Sequence, residues 1–296
     1  MATTLTKSRP DRLMTPDART RARPTAQYSD PEHLREEVAR APASPGVYIF
    51  HGEREDPPLY IGKSVNIRAR LLAHLRNAAE ARLLAQTRRI RHLRTAGELG
   101  ALLLEAQLIK QKQPLFNRRL RRNRQLCSWR LVDARPEIVD ARQVDFAREA
   151  GLFGLFSSRR AALDALRDLA DQHRLCWGAL GLERLAPGRA CFRASIGRCA
   201  GVCRGADTAP AHHARLLAAL EAMRLRCWPH PGAIGLVERD ADLQQIHVVR
   251  NWCYLGSVAT PEEARALSTV ATGFDADGYK ILVGPVLTRA VDIIAL

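Results

Sequence analysis

Glu105 is a carboxylate set in an apolar stripe. Residues 97–112 (GELGALLLEAQLIKQK) carry the strongest helical pattern in the chain, and Gln113-Pro114 ends it. On that helix Glu105 meets Ala101, Leu104, Leu108 and Ile109 at i−4, i−1, i+3 and i+4. A carboxylate stripped of water there is costly unless a cation or hydrogen bonds compensate. Two readings are open. One is a buried salt bridge to one of the many arginines. The other is a ligand to a hard divalent ion, Mg²⁺ or Mn²⁺, which prefers carboxylate oxygen and completes its shell with water and phosphate.

A second group of residues is built on sulfur. Cys176, Cys191, Cys199 and Cys203 form the pattern C-x14-C-x7-C-x3-C, four of the seven cysteines in the chain. Thiolates at tetrahedral reach suit zinc or an iron–sulfur cluster; four reduced thiols are the bland alternative. Cys127, Cys227 and Cys253 show no ligand spacing and read as buried apolar residues. His212-His213 is adjacent rather than helically spaced and reads as a surface pair. Trp228, Trp252 and Tyr254 could stack on bases, but core packing is the simpler expectation.

The charge is not ordinary for a globular protein. The 296 residues hold 46 Lys+Arg against 31 Asp+Glu, a net +15, and an excess of that size points to a polyanion, nucleic acid first of all. Only five of the cations are lysine, as base-composition bias would produce, yet bias does not explain where they sit. Residues 61–130 hold 17 cations and three acids, which leaves the rest of the chain near neutrality. A localised field is the mark of a binding surface. No apolar run approaches the roughly 18 residues that span a bilayer. The first 30 residues lack a signal-peptide core. A cytoplasmic protein with reduced cysteines is expected.

These residues need elements to hold them. PEHLREEVARA (31–41) has helix-start chemistry in Pro31, Glu32 and Glu36, with Asp30 as cap. GVYIF (46–50) and LYIG (59–62) are β-branched and aromatic runs joined by HGEREDPP, which reads as a hairpin. Ile67, Leu71, Leu72 and Leu75 then recur at helical spacing, a short helix follows over 80–88, and 90–95 reads as a third strand. Beyond Pro231 two or three antiparallel strands are expected. The fold class is α+β: a small antiparallel sheet flanked by helices, a cysteine-rich region, and a small C-terminal α+β segment. The expected divisions are a flexible basic tail over 1–30, then 31–125, 126–205 and 206–296.

Gly46-Val47-Tyr48 followed by Tyr60-Ile61-Gly62 resembles the paired signature of the GIY-YIG nucleases. Lys63, Arg70, Ala-Leu-Leu-Leu-Glu ending at Glu105, and Asn117 twelve residues later follow in the same order. Order and spacing resemble the amino-terminal nuclease domain of the bacterial excinuclease subunit UvrC and its short homologues. The tail of the cysteine pattern resembles the region that follows it there. The resemblance implies that Glu105 is the sole protein ligand of one Mg²⁺ or Mn²⁺. It places Arg70 against the scissile phosphate and Tyr60 on the attacking water, with Tyr48 in support. Lys63 would lower the pKa of a neighbouring phenol or contact phosphate, and Asn117 would orient loop or substrate. His74 stands four residues after Arg70 where UvrC sequences usually have tyrosine, so the general base is either Tyr60 or His74. The cysteines would hold a [4Fe–4S] cluster, with zinc as second choice. Arg118, Arg119, Arg121, Arg122 and Arg124 read as phosphate-backbone contacts.

The implied activity is hydrolysis of one phosphodiester on the damaged strand of double-stranded DNA, 3′ to a lesion, in nucleotide excision repair. Recruitment of a monomer to a UvrB–DNA complex, with UvrA upstream, is the implied setting. No second nuclease domain and no UvrB-contacting helix is recognisable after residue 206. The rival readings are a homing-type or structure-specific nuclease outside repair, which the cysteine region disfavours, and a catalytically silent DNA- or RNA-binding protein. A pure binder has no need of a carboxylate on an apolar face.

Overall fold

Residues 32–117, 126–269 and 273–296 are described by a computed structural model of the chain. The expected tail and the arginines 118, 119, 121, 122 and 124 lie outside the described residues. Helix α1 (Glu32–Arg40) precedes the hairpin β1 (Gly46–His51) and β2 (Tyr60–Ser64). Then come α2 (Ile67–Leu75), a 3-10 turn at Ala78–Glu80, α3 (Ala81–Gln86), β3 (Arg89–Arg94) and α4 (Glu98–Lys112). The three strands pair antiparallel in the order β2-β1-β3. In β3 only Ile90 is buried, so its arginines point to solvent, where charge on an edge strand also discourages pairing with another chain.

Alternation along β1 divides the sheet's duties. Val47 and Ile49 pack with Ile61 against Leu104, Leu108 and Ile109 of α4. Tyr48 and Phe50 face the other way, with ring contacts to Tyr60 and to His74 of α2. One face of the hairpin is therefore core and the other is chemistry.

The middle of the chain forms β4 (Cys127–Val132), β5 (Arg135–Asp140) and β6 (Leu152–Phe156), ordered β5-β4-β6, then α5 (Arg159–Gln172), α6 (Phe192–Ser195) and α7 (Ala209–Glu221). Ser158 caps α5 and Thr208 caps α7. Ala162, Leu166, Leu169 and Ala170 make a helical stripe over Trp129, Phe153 and Phe156. The remainder is β7 (Ile234–Asp240), β8 (Leu243–Arg250), β9 (Cys253–Val258), α8 (Pro261–Ser268), α9 (Ala276–Thr288) and β10 (Asp292–Ala295), with the antiparallel order β10-β7-β8-β9. The fourth strand was not expected, because four residues are too few to display an alternation. No helix among the described residues is long and apolar enough to cross a membrane.

Trp228 and Trp252 are core residues as expected, whereas Tyr254 is only partly buried. His212 is not a surface residue: it is 5% exposed, and its Nε2 accepts a hydrogen bond from the Cys176 N–H. Among the three cysteines without ligand spacing, Cys127 is buried while Cys227 and Cys253 are half-buried.

Helix α4 is held by the C-terminal sheet. Leu99 and Leu103 enter the core formed by Trp228, Leu236, Trp252 and Leu282. Its N-cap is Gly97, which has no side chain to offer, and Glu238 of β7 does the capping from a distance. Glu238 accepts from the N–H groups of Leu99 at 3.0 Å and Gly100 at 2.7 Å, and it bonds His247 at 2.9 Å. A Cβ on Gly97 would lie 2.2 Å from that carboxylate, so glycine is required for the approach. Burial pushes the Glu238 carboxyl up, but its bonds to His247, Gly100 and Leu99 outweigh this and hold it below the ordinary value of 4.5. A depressed carboxyl contributes stability that is present above the unfolded pKa and lost as pH falls through the folded one. Glu238→Gln is expected to cost about 1–3 kcal/mol at neutral pH. Its thermal midpoint should fall less steeply than that of the wild type below pH 4.5. Parallel melting profiles for the two proteins would rule out this role.

Candidate active site and cysteine cluster

Strand register brings the two phenols together. Tyr48 pairs with Gly62 and Phe50 with Tyr60, so Tyr48 and Tyr60 lie on one face with ring centroids 6.3 Å apart. The Tyr48 ring passes directly over Gly62, where a Cβ would stand 2.3 Å from its hydroxyl. Only glycine admits that crossing. Tyr48 is 1% exposed and Tyr60 is half-buried, so Tyr60 is the phenol that meets solvent.

Helix α2 supplies the next pair. Asn66 caps it by accepting from the Ala69 N–H, and Arg70 and His74 follow one turn apart. Arg70 Nε donates to the Tyr48 hydroxyl at 3.4 Å, and that hydroxyl lies 2.7 Å from His74 Nε2. The Arg70 guanidinium is exposed and makes no ion pair among the described residues. His74 is 3% exposed, and its Nδ1 bonds the Glu80 carboxylate. It is therefore neither a surface histidine nor a group that a water can reach, because both ring nitrogens are taken. Burial lowers the His74 pKa from its usual value, with Glu80 opposing.

Glu105 projects from α4 toward the end of β2. Its Oε1 accepts from the Lys63 backbone N–H at 3.1 Å, and among the described residues it has no salt bridge to a side chain. Burial raises its pKa, offset in part by Lys63. Among the described residues the salt-bridge reading finds no partner, and there the carboxylate keeps acceptor capacity beyond the Lys63 N–H. Its charge is felt by both tyrosines: burial raises Tyr48 and Tyr60, and Glu105 raises them further. Lys63 is not among the main influences on either phenol. Its ammonium is paired with Glu98 at 2.5 Å, and burial decides the direction for both tyrosines. Asn117 spends its amide on one backbone unit, accepting from Ile61 N–H and donating to Ile61 C=O, each at 2.9 Å. It continues the ladder of β2 and orients that strand.

Glu80 and Glu98 belong to this constellation, although no sequence pattern marked them. Glu80 stands six residues after His74, off any helical repeat, and Glu98 meets Lys63 from 35 positions away.

The four cysteines converge. The sulfurs of Cys176, Cys191, Cys199 and Cys203 all lie within 4.8 Å of one another, Cys176 included despite the longer first spacing. The first three are buried, and Cys203 is half-buried. Backbone N–H groups point at sulfur, from Gly201 to Cys199 at 3.2 Å and from Cys191 to Cys203 at 3.4 Å. Burial pushes Cys176 up to about 12. Burial raises Cys203 too, but hydrogen bonds from the Cys191 N–H and the neighbouring thiols outweigh it and hold Cys203 below its ordinary value. Four sulfurs so disposed are able to bind a metal. A cavity of about 740 Å³, lined in part by Arg135, Arg184, Cys176 and Cys203, opens on the cluster.

Residues 44–118 match the UvrC-like GIY-YIG domain. Residues 126–222 match the UvrC/Cho excinuclease middle domain, and 233–296 match the excinuclease Cho C-terminal domain. The chain is 56% identical to excinuclease cho of Salmonella typhi over 271 residues, 92% of each chain. It is 54% identical to excinuclease cho of Escherichia coli (strain K12) over the same share of both. A solved structure of the GIY-YIG N-terminal endonuclease domain of UvrC from Thermotoga maritima, bound to its catalytic divalent cation magnesium, is 31% identical. It covers 29% of this chain and 98% of that one, with a TM-score of 0.27.

Proposed function

The chain belongs to the Cho family of excinucleases, and from that premise we propose that it makes the 3′-side incision on a damaged DNA strand by divalent-metal-dependent hydrolysis. It is a GIY-YIG endonuclease, a DNA-cleaving hydrolase of DNA repair. The reading rests on Glu105, a partly buried carboxylate whose charge is felt by both phenols and which has no salt bridge to a side chain among the described residues, with the exposed guanidinium of Arg70 bonded to one of those phenols. Glu105 would hold a Mg²⁺ or Mn²⁺ ion, which would supply Lewis-acid stabilisation to the phosphate and the leaving oxygen. Arg70, planar and always charged, binds the scissile phosphate and stabilises its developing charge. Tyr60 holds the attacking water from the open side of the hairpin, and Tyr48 backs it. Asn117 keeps β2 in register beneath them. Lys63 exchanges Glu98 for a backbone phosphate, and Arg118, Arg119, Arg121, Arg122 and Arg124 add sequence-independent contacts.

The cysteine set takes a [4Fe–4S] cluster in this proposal. One observation favours zinc as a second reading. Sulfurs within 4.8 Å of each other are close to the roughly 3.8 Å edge of a tetrahedron with Zn–S bonds of about 2.3 Å, whereas a cubane holds its thiolates further apart.

The test is incision of an end-labelled duplex carrying one bulky adduct, with and without UvrA and UvrB, by the cytoplasmic monomer we envisage. A single cut 3′ to the adduct, stimulated by UvrB, is the expected product. Cutting on the 5′ side, or equal cutting of undamaged duplex, would sink the proposal.

A further inference from the structure

Glu80, on the 3-10 turn after α2, has no place in the motif that carries the nuclease reading, yet it completes a chain of polar contacts that begins at the open phenol. The Tyr60 and Tyr48 rings lie on one face of the hairpin with centroids 6.3 Å apart, and Tyr48 acts on the Tyr60 hydroxyl to lower its pKa against burial. Tyr48 lies 2.7 Å from His74 Nε2, and His74 Nδ1 bonds Glu80 Oε2. The other oxygen of Glu80 accepts from Asn77 Nδ2 at 3.0 Å, which fixes the carboxylate plane. From this geometry we propose that Glu80 is a positioning residue for hydrolysis. It holds His74 in the one tautomer that can draw a proton out of the tyrosine pair.

An ionised carboxylate only accepts, so the ring nitrogen beside Glu80 is the one that carries the proton. Nε2 then has a lone pair, and the Tyr48 hydroxyl donates to it. The same constraint leaves the Tyr48 oxygen free to accept from Arg70 Nε and from Tyr60. His74 cannot touch the attacking water itself, being 3% exposed with both nitrogens engaged. It acts through the two phenols.

The step balances as a relay. An O–H bond of water breaks as its oxygen attacks phosphorus; the phosphorus–oxygen bond to the departing strand end breaks, its electron pair stays on that oxygen, and solvent protonates it. Its proton goes to the Tyr60 oxygen, the Tyr60 proton to the Tyr48 oxygen, and the Tyr48 proton to His74 Nε2. The new imidazolium faces the Glu80 carboxylate, and neither phenol is left ionised. Without Glu80 both tautomers of His74 are populated. In one of them Nε2 is a donor, and the relay stops at Tyr48. The arrangement has the logic of a carboxylate that orients a histidine base, placed here behind a pair of tyrosines.

The proposal rests on the nuclease reading, and its test separates the two. Cleavage rates of a metal-loaded adduct duplex are measured for wild type, Glu80→Ala, His74→Phe and the double variant. Glu80→Gln serves as a second variant, and melting temperatures are recorded for each. Glu80→Ala is expected to lose on the order of 10²-fold in rate, while adding it to His74→Phe costs less than about twofold, because residues acting in one chain are not additive. Nitrogen NMR of the His74 ring provides a readout apart from activity: one Nδ1-protonated tautomer in wild type, a mixture in Glu80→Ala. Equal losses from Glu80→Ala in both backgrounds would reduce Glu80 to a structural residue and overturn the proposal. So would an unchanged tautomer or an unchanged rate. Failure of the wild type to cut at all would instead defeat the nuclease reading.

Discussion

Glu105→Gln should leave a protein that binds DNA and does not cut it. The substitution keeps shape and one acceptor oxygen but removes the charge that attracts a divalent ion. Lewis-acid stabilisation of the phosphate amounts to several kcal/mol, so the cleavage rate is expected to fall by about 10³-fold or more. DNA affinity should change little, because it comes from the basic surface. Stability gives an independent check on the sign. Burial raises the Glu105 carboxyl, so at neutral pH its ionised form costs the fold free energy, and that cost disappears below the unfolded pKa. The glutamine variant should therefore melt at the same or a higher temperature in metal-free buffer. Added Mg²⁺ should raise the melting temperature of wild type alone. Cleavage within tenfold of wild type, or equal stabilisation of both proteins by Mg²⁺, would remove Glu105 from the metal. A catalytic group that destabilises its own fold is the usual compromise between stability and activity.

The parts of this site that could be read from the sequence are those in which spacing encodes geometry. The hairpin, the helix after it and the apolar stripe around Glu105 all obey local periodicity, and the resemblance to the GIY-YIG signature is what set Tyr48, Tyr60, Arg70 and Glu105 side by side. The cysteine pattern could be read in the same way, since all four sulfurs fall within 28 residues. What stayed hidden depends on long-range contact. Lys63 has the sequence context of a phosphate or phenol contact, but Glu98, 35 residues on, takes its charge. His74 has the spacing of an exposed residue one turn from Arg70; the aromatic rings of Tyr48, Phe50 and Tyr60 bury it. Likewise His212 is buried by a bond to the Cys176 backbone 36 residues away. Glu238 is the clearest case. Nothing in residues 234–240 announces a helix cap for α4, because the helix lies 138 residues upstream.

Cys199→Ser is expected to take the metal centre with it and to loosen the segment that the centre organises. Between Cys176 and Cys203 the regular structure consists of the four residues of α6 and part of a 3-10 turn. One buried apolar cluster there is the cysteines themselves with Ala194, joined by Ala179, Leu185 and Val202, while Leu180, with Trp177 and Leu182, packs into the neighbouring core. A cluster made largely of cysteines has little apolar surface to hold itself, so ligation of the proposed metal would add what a larger core supplies elsewhere. Cys199 is 2% exposed, so a serine hydroxyl in its position would be a poor ligand in a dry site. Wild type purified without oxygen should be brown and carry iron and sulfide. The variant should be colourless, should melt roughly 10 °C lower for a loss of several kcal/mol, and should be nicked by protease between residues 177 and 203. Zinc in colourless wild type would replace the cluster by a single tetrahedral ion and leave the ligand set intact. Four thiols that react freely in the native wild-type protein, with no metal bound, would remove the centre altogether.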